Sequence, residues 1–126
     1  MEKNKDKKPV VLQVLPELNQ GGVEIGTIEI ATALQEHGIS NFVASAGGRL
    51  AYNLDRIKVP HFTLPLKTKN PFKLWLNYRR LVKIIKENGV NIVHARSRAP
   101  AWSAYWAAKK TGAKFLTTFH GTYGLS

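Results

Sequence analysis

The sequence predicts an α/β fold with one parallel sheet and flanking helices. Short apolar runs alternate with segments of helical periodicity, glycine or proline stands near most of the boundaries, and no internal repeat interrupts this order. Strands that alternate with helices form βαβ units, whose strands pair in parallel. With 126 residues, 44% of them hydrophobic, the chain can bury one modest core. We therefore expect one domain over residues 9–126, preceded by a basic flexible tail over residues 1–8.

The first half of the chain predicts three strands and two helices. In order, these are a strand over 10–15, a helix over 23–37, a strand over 41–46, a short helix within 49–58 and a strand over 61–64. The first strand is a nearly continuous apolar run, as in a strand covered on both faces. In the first helix Ile28, Ala31 and Leu34 form one apolar stripe, and Gly38 is placed to end the helix.

The second half continues the alternation. It predicts a helix over 71–88, a strand over 91–95, a helix over 100–110 and a strand over 114–119. Pro71 suits the first turn of the long helix. Leu74, Tyr78, Leu81 and Ile85 recur at intervals of four, three and four residues, which predicts the buried stripe of that helix.

Glycine, histidine and arginine cluster where the predicted strands end. Gly21 and Gly22 follow the first strand, Gly47 and Gly48 follow the second, the segment from His94 to Arg98 ends the fourth, and His120 with Gly121 ends the fifth. Ligands of an open parallel sheet bind beyond the carboxyl ends of its strands. We therefore predict that these residues line one crevice.

Gly21 and Gly22 permit two interpretations. They allow backbone N–H groups to approach an anion at the positive end of the following helix, or they form an ordinary tight turn. The segment from Gly21 to Gly26 does not match G-x-G-x-x-G, and no Gly-Lys-Ser/Thr occurs, which excludes a dinucleotide fingerprint and a P-loop. Glu24, near the helix start, favours the helix dipole.

The histidines and arginines of the crevice also have alternative roles. A histidine such as His94 at a strand end is more often structural than catalytic, whereas Arg96 and Arg98 could clamp a phosphate or carboxylate. His120, followed by a glycine, is the stronger catalytic candidate. Because no two histidines have a helix-face spacing of three or four, we expect no metal site.

The net charge of +11 indicates an anionic partner. No zinc-finger or RNP-type pattern is present, so we expect phosphate or anionic lipid rather than nucleic acid. The long helix carries a basic side, interleaved with Phe72, Trp75 and Leu76, that suits an anionic membrane or a solvated surface. Its basic residues are Lys73, Arg79, Arg80, Lys83 and Lys86. Trp102, Tyr105 and Trp106 are expected to pack in a core or between domains.

The composition also restricts location. The chain contains no cysteine and therefore no disulfide or thiolate metal site. No apolar run reaches the roughly 20 residues needed to cross a bilayer, and the charged amino terminus lacks the apolar core of a secretion signal. We expect a cytoplasmic protein, peripheral on the inner face of the membrane if the basic helix binds lipid.

Five motifs in this order resemble the amino-terminal domain of bacterial family-four glycosyltransferases. They are 11–15 (VLQVL), 21–24 (GGVE), 45–48 (SAGG), 91–98 (NIVHARSR) and 117–121 (TTFHG), and the resemblance covers about residues 9–124. It implies a retaining GT-B enzyme, often of lipopolysaccharide or other envelope glycan synthesis, with a Rossmann-like amino-terminal half. The donor would be a nucleotide-diphosphate sugar, with no metal or other cofactor.

The resemblance also implies roles for matching residues. Gly21 and Gly22 would approach the donor diphosphate, and His120 would lie near the transferring sugar and the acceptor. The acceptor side would be formed by Gly47, Gly48, His94, Arg96 and Arg98. The basic side of the long helix would be the membrane face.

The sequence departs from the family pattern by lacking the donor-binding domain, with its basic pair and Glu-x7-Glu motif. This predicts a truncated, incomplete GT-B half that is inactive unless a second chain supplies that domain. Transfer of a sugar to an envelope glycan or lipid-linked acceptor is the first functional hypothesis. A non-catalytic binding module for a phosphorylated or lipid ligand is the alternative, and a nucleic-acid-binding protein is the third.

Overall fold

The computed structural model describes residues 8–19, 21–97 and 100–118. Within them, strands and helices alternate along the whole chain, as predicted. The strands are β1 (Val11–Val14), β2 (Asn41–Ser45), β3 (His61–Thr63), β4 (Ile92–Ala95) and β5 (Lys114–Thr117). The helices are α1 (Gly22–Glu36), α2 (Ala51–Arg56), α3 (Pro71–Asn88) and α4 (Ala101–Thr111). The predicted tail over residues 1–8 lies, apart from Lys8, outside the described residues.

The five strands form one parallel sheet in the order β3-β2-β1-β4-β5, which confirms the predicted fold class. Strands β2 and β3 follow β1 on one side of it, and β4 and β5 lie on its other side. In register, Gln13 lies beside Val43 of β2 and His94 of β4. The strand order reverses between β1 and β4, and this is the point at which ligands of such sheets bind.

Local sequence signals set the ends of the helices. The Asn70 side chain accepts hydrogen bonds from the backbone N–H groups of Phe72 (2.8 Å) and Lys73 (3.3 Å) and so caps α3, with Pro71 in its first turn. Gly89 and Gly112 end α3 and α4 with left-handed φ values of 67° and 84°.

Each face of the sheet is covered by a different pair of helices. Helices α1 and α2 pack on one face, in a core that includes Leu15, Val43 and Leu54. Helices α3 and α4 pack on the other face, in a larger core that includes Leu12 and Leu81.

The buried stripe of α3 differs in part from the predicted one. Leu81 and Ile85 are buried as predicted, but Leu74 and Tyr78 are only half-buried, and Asn77 is buried instead. Nδ2 of Asn77 donates a hydrogen bond to the backbone carbonyl of Pro65 at 3.0 Å, while its buried Oδ1 has no partner among the described residues. Hydrophobic periodicity does not predict such a residue, because its partner comes from a distant loop.

Candidate active site

The loops that follow β1 and β2 are joined at the carboxyl edge of the sheet. The N–H of Leu18 donates to the carbonyl of Gly47 at 2.7 Å, and the N–H of Leu50 donates to the carbonyl of Leu18 at 2.8 Å. Gly48 has a φ of 144°, and a β-carbon there would overlap the Leu18 carbonyl. Gly48 therefore has a structural role in joining the two loops.

The first turn of α1 begins beside these loops without a side-chain cap among the described residues. A β-carbon at Gly21 would lie 2.5 Å from Oε1 of Glu24, so the Glu24 carboxylate folds back over Gly21. An acidic group at this end of a helix is favoured by the helix dipole, as the sequence predicted. The same backbone N–H groups can bind an external anion if the flexible Glu24 side chain moves away.

Arg96 lies at the reversal point between β1 and β4. Its backbone N–H donates to the carbonyl of Val14 at 2.9 Å, and its Nη1 donates to Oε1 of Gln13 at 3.2 Å. Nε2 of Gln13 donates to the carbonyl of Thr27 in α1 at 3.2 Å. Nη2 of Arg96 approaches α1 at Gly26, where a β-carbon would be 3.2 Å away. The structure thus brings Arg96 next to the second turn of α1.

Sequence reasoning did not identify Gln13, Gly26 and Thr27 as parts of this site. Gln13 is fully buried in the central strand, and it was included only in an apolar run. One signal was available in the sequence, because a glutamine among apolar residues of a buried strand must find hydrogen-bond partners.

His94 is half-buried on the same face of the sheet. Its Nε2 lies 3.0 Å from Oγ1 of Thr118, just beyond β5. Burial, and secondarily the positive charge of Arg96, lowers the pKa of His94 to about 4, so the imidazole is neutral at physiological pH. The neutral ring can share one hydrogen bond with the threonine hydroxyl without adding a second positive charge beside Arg96.

A second histidine supports the loop after β2. Nε2 of His61 lies 2.6 Å from Oγ of Ser45, and that oxygen also accepts the N–H of Gly47 at 3.0 Å. Burial lowers the pKa of His61. Because Ser45 is fully buried and bonds to both His61 and Gly47, this pair supports the loop after β2.

Two predicted site residues, Arg98 and His120, lie outside the described residues. The roles predicted for them stay predictions. In the part of the chain that the structure describes, no group of three or more histidine, aspartate or glutamate side chains could hold a metal ion.

The outer surface of α3 and α4 contains the predicted basic face and an aromatic groove. A groove of about 560 Å³ is lined by Pro71, Leu74, Trp75, Tyr78, Trp102, Ser103 and Trp106. Trp102 is 66% exposed and Trp106 47% exposed. Of the two expected packing sites, this excludes the core of this domain, and packing between domains stays a prediction. Arg79 stands 5.2 Å from the centre of the Trp75 ring, and Lys109 stands 5.5 Å from that of Trp106.

A cationic groove adjoins the aromatic one, because Tyr78 lines both. It measures about 420 Å³ and is lined by Tyr78, Arg79, Val82, Lys83, Lys86, Glu87 and Lys110. Four cations therefore surround a single carboxylate. No helix in the described ranges is both long enough and apolar enough to span a membrane.

Comparison with known proteins decides the family. Residues 20–126 match the model of Glycosyltransferase Family 4, which is most of the chain. The chain belongs to this family. The family-four match includes the beginning of α1, Arg96 and the loops after β2 and β4, all of which lie at the carboxyl edge described above. No curated protein sequence matches the chain significantly.

Solved structures agree with this assignment and define the part of the fold that is present. A glycosyltransferase from Rickettsia africae is 49% identical, with a TM-score of 0.83 over 94% of this chain and 31% of that one. The family-four chain therefore spans about a third of the length of that relative. MurG from Acinetobacter baumannii shares the fold at 18% identity, with a TM-score of 0.69 over 86% of this chain and 34% of the other. The fold is that of the Rossmann-like amino-terminal part of a GT-B glycosyltransferase.

Proposed function

We propose that the carboxyl edge of this sheet is the amino-terminal half of a sugar-transfer site that uses a nucleotide-diphosphate sugar. The position of Arg96 carries the proposal, since its guanidinium is held at the strand-order reversal beside the second turn of α1. The amides of Gly21 and Gly22 and the Arg96 guanidinium would together contact the diphosphate. Such donors stabilise the charge that develops on a departing diphosphate.

The acceptor would lie on the sides of the crevice formed by the loops after β2 and β4. Gly47 and Gly48 are fixed there through Leu18, and His94 contacts Thr118, two residues before the predicted catalytic His120. An envelope glycan or a lipid-linked acceptor is the proposed class. The nucleotide itself would be held by a donor-binding domain, which we propose is supplied by a further domain or a second chain.

Binding of UDP, used as a probe, tests the diphosphate contact. In a titration followed by ¹⁵N NMR, we expect UDP to shift the backbone amides of Gly21 and Gly22 and the side chain of Arg96. Arg96→Ala should weaken binding about tenfold, as loss of one charge-assisted hydrogen bond implies. Arg56→Ala, at the end of α2, is the matched control and should bind as the wild type does. Equal affinity of Arg96→Ala and wild type would contradict the proposal.

Transfer itself provides a second test. We expect no turnover by the 126-residue chain with UDP-sugars or other nucleotide sugars, because its sequence holds no Glu-x7-Glu motif. Addition of a polypeptide carrying a family-four donor-binding domain should restore transfer. His120→Ala should then lower kcat more than it weakens donor binding. Ligand binding without transfer, even after that addition, would favour the non-catalytic binding module.

We further propose that the outer surface of α3 and α4 rests on an anionic membrane. Exposed tryptophans beside a cationic groove match the interface of a bilayer, where aromatic rings lie among the headgroups and cations meet lipid phosphates. We expect binding to vesicles that contain phosphatidylglycerol, and we expect salt to weaken it, since charges are screened within about 10 Å at 0.1 M ionic strength.

Charge reversal tests the membrane face. Arg79→Glu, Arg80→Glu and Lys83→Glu combined should abolish vesicle binding in a sedimentation assay. The control reverses three exposed cations near the other face, Arg49, Arg56 and Lys58, and changes the net charge equally. Equal losses in both triple variants would show that net charge alone attracts the lipid and would contradict a dedicated face.

A further inference from the structure

We propose that Gln13 and Gly26 are positioning residues that hold the guanidinium of Arg96 in the crevice, where it contacts a diphosphate or a similar anion. This inference rests on the role of Arg96 in the proposed function. It adds two residues that lie below the crevice and that would not themselves touch a ligand.

Gln13 can orient Arg96 because its amide is held at both ends. Its Nε2 donates to the Thr27 carbonyl, so its Oε1 faces Arg96 and accepts from Nη1. A guanidinium can only donate hydrogen bonds, and a carbonyl can only accept them, so this amide orientation alone satisfies both neighbours. Since Gln13 is fully buried in the central strand, its position is fixed by the sheet.

Gly26 leaves room for the guanidinium. It lies inside α1, where glycine costs about 1 kcal/mol relative to alanine. Its φ is not among the positive values of this chain, so the backbone does not require glycine. The requirement comes from Arg96, since a β-carbon would lie 3.2 Å from Nη2, closer than ordinary van der Waals contact. Glycine at position 26 therefore lowers the stability of α1 and leaves room for the Arg96 guanidinium.

The electrostatics of Arg96 indicate that its ligand is an anion. Among residues 8–19, 21–97 and 100–118, no carboxylate lies within 4 Å of the guanidinium, since Lys67 and Glu17 form the one ion pair. Its buried Nε has no hydrogen-bond partner in the same part of the chain. A partly buried cation with no counter-charge is costly, and a bound anion would offset that cost.

The side chain of Arg96 can be observed directly by NMR. In the wild type, we expect the Nε–Hε signal of Arg96 to be sharp and slow to exchange with water, because the group is buried. Gly26→Ala should broaden this signal and speed its exchange, while raising the thermal unfolding temperature through better helix propensity. If Gly26 had only a packing role, its substitution would change the Arg96 signal and the unfolding temperature in the same direction, so a less ordered Arg96 would come with a less stable protein.

Inorganic pyrophosphate is the binding probe. We expect Gly26→Ala to weaken its binding about threefold, and Gln13→Glu to weaken it at least tenfold, because a carboxylate beside Nη1 replaces the external anion. Asn77→Asp is the matched control, since it places a carboxylate at a buried amide on the opposite face. That control should leave the Arg96 signal and pyrophosphate binding unchanged in the folded protein.

The outcomes separate this inference from the proposed function. Unchanged Arg96 signals in both Gly26→Ala and Gln13→Glu would overturn the positioning roles, whatever ligand binds. If Gly26→Ala and Gln13→Glu alter the Arg96 signal but Arg96→Ala leaves pyrophosphate binding unchanged, the positioning roles are confirmed. The proposal that Arg96 contacts an anion is then overturned, and the positioning has no such purpose. Absence of pyrophosphate binding by the wild type would likewise overturn the anion contact.

Discussion

The two faces of the sheet differ in what they place against it. On the face covered by α3 and α4, the inward side chains of the central strands are apolar, among them Leu12, Val14 and Val93. On the face covered by α1 and α2, the strands contribute Gln13 and His94 beside the apolar Val43, with Arg96 just beyond β4. Polar side chains of the central strands therefore lie on this second face, among apolar ones.

The outer surfaces of both helix pairs expose apolar side chains. Helices α3 and α4 expose Trp75 and Trp102, which line one groove, whereas α1 and α2 expose Ile25, Ile30 and Tyr52. Beyond α1, Leu116 of β5 is 53% exposed on the polar face of the sheet. In the proposed function, the polar face would form the crevice and the groove on α3 and α4 would contact the membrane.

The largest expected effect comes from the apolar core. Leu12→Ala should lower the free energy of unfolding by about 3 kcal/mol, since it leaves a cavity where the side chain was fully buried. Urea denaturation followed by circular dichroism measures the change. Leu116→Ala, on the other face, is the control and should cost less than about 1 kcal/mol. Equal changes in the free energy of unfolding in the two variants would contradict the larger contribution of the α3 and α4 face to stability.

The joined loops on the polar face give the next effect. Gly48→Ala should lower the free energy of unfolding by about 2 kcal/mol, because a methyl group would overlap the Leu18 carbonyl in a backbone conformation that disfavours side chains. The control is Gly47→Ala, where φ is also positive but a β-carbon would meet open space. Denaturation of both variants gives the comparison, and a larger cost at Gly47 would exclude the overlap as the cause.

The polar face should also make stability depend on pH. The folded-state pKa of His94 is about 4, below the unfolded value of about 6.5, so protonation favours unfolding. The stabilisation is present above pH 6.5 and is lost as the pH falls toward 4. We expect a loss of about 1 kcal/mol, less than full linkage gives, because the half-exposed ring is partly solvated.

Thermal melts between pH 4 and 7 measure this effect. In His94→Gln the slope over this range should decrease, and the part that remains should include His61, whose pKa is also lowered by burial. His37→Gln, at the end of α1, controls for the loss of a histidine. A slope of the same size in His94→Gln and in the wild type would show that His94 does not carry the pH dependence.

The smallest effect is expected on the outer surface of α4. Trp102→Ser should change the free energy of unfolding by less than about 0.5 kcal/mol, since 66% of the side chain is exposed. The same variant should weaken binding to phosphatidylglycerol vesicles. A loss of stability equal to that of Leu12→Ala would mean that the tryptophan packs in the domain.

The fold could be predicted because its boundaries are marked locally. Pro71, Gly89 and Gly112 stand where helices begin or end, and the structure confirms each of these boundaries. Because each helix connects two parallel strands, the alternation of strands and helices then allows only a few sheet topologies. The family resemblance, based on short motifs in the same order, is confirmed as well.

The details of the site could be predicted only in part. Arg96 was identified by its residue type and its place after a strand, but its contacts come from residues distant in sequence. Gln13 is 83 residues from Arg96, and no periodicity relates the two. Gly26 was considered only as part of a glycine motif that it does not complete. The sequence leaves open whether Trp102 packs in a core or between domains, because an aromatic residue on a helix has the same local pattern whether its face is covered or open.

The strand order also determines when the crevice can form. Asn91, which binds the backbone N–H of Val10 at 2.8 Å, follows it by 81 residues. Until β4 has been synthesised and has paired, β1 is an edge strand with an apolar side uncovered, and closing so long a loop slows folding. Strands β1 to β3 can associate earlier, as a local unit. The contact between Arg96 and Gln13 therefore cannot form in a nascent chain before β4 has been synthesised and has paired with β1.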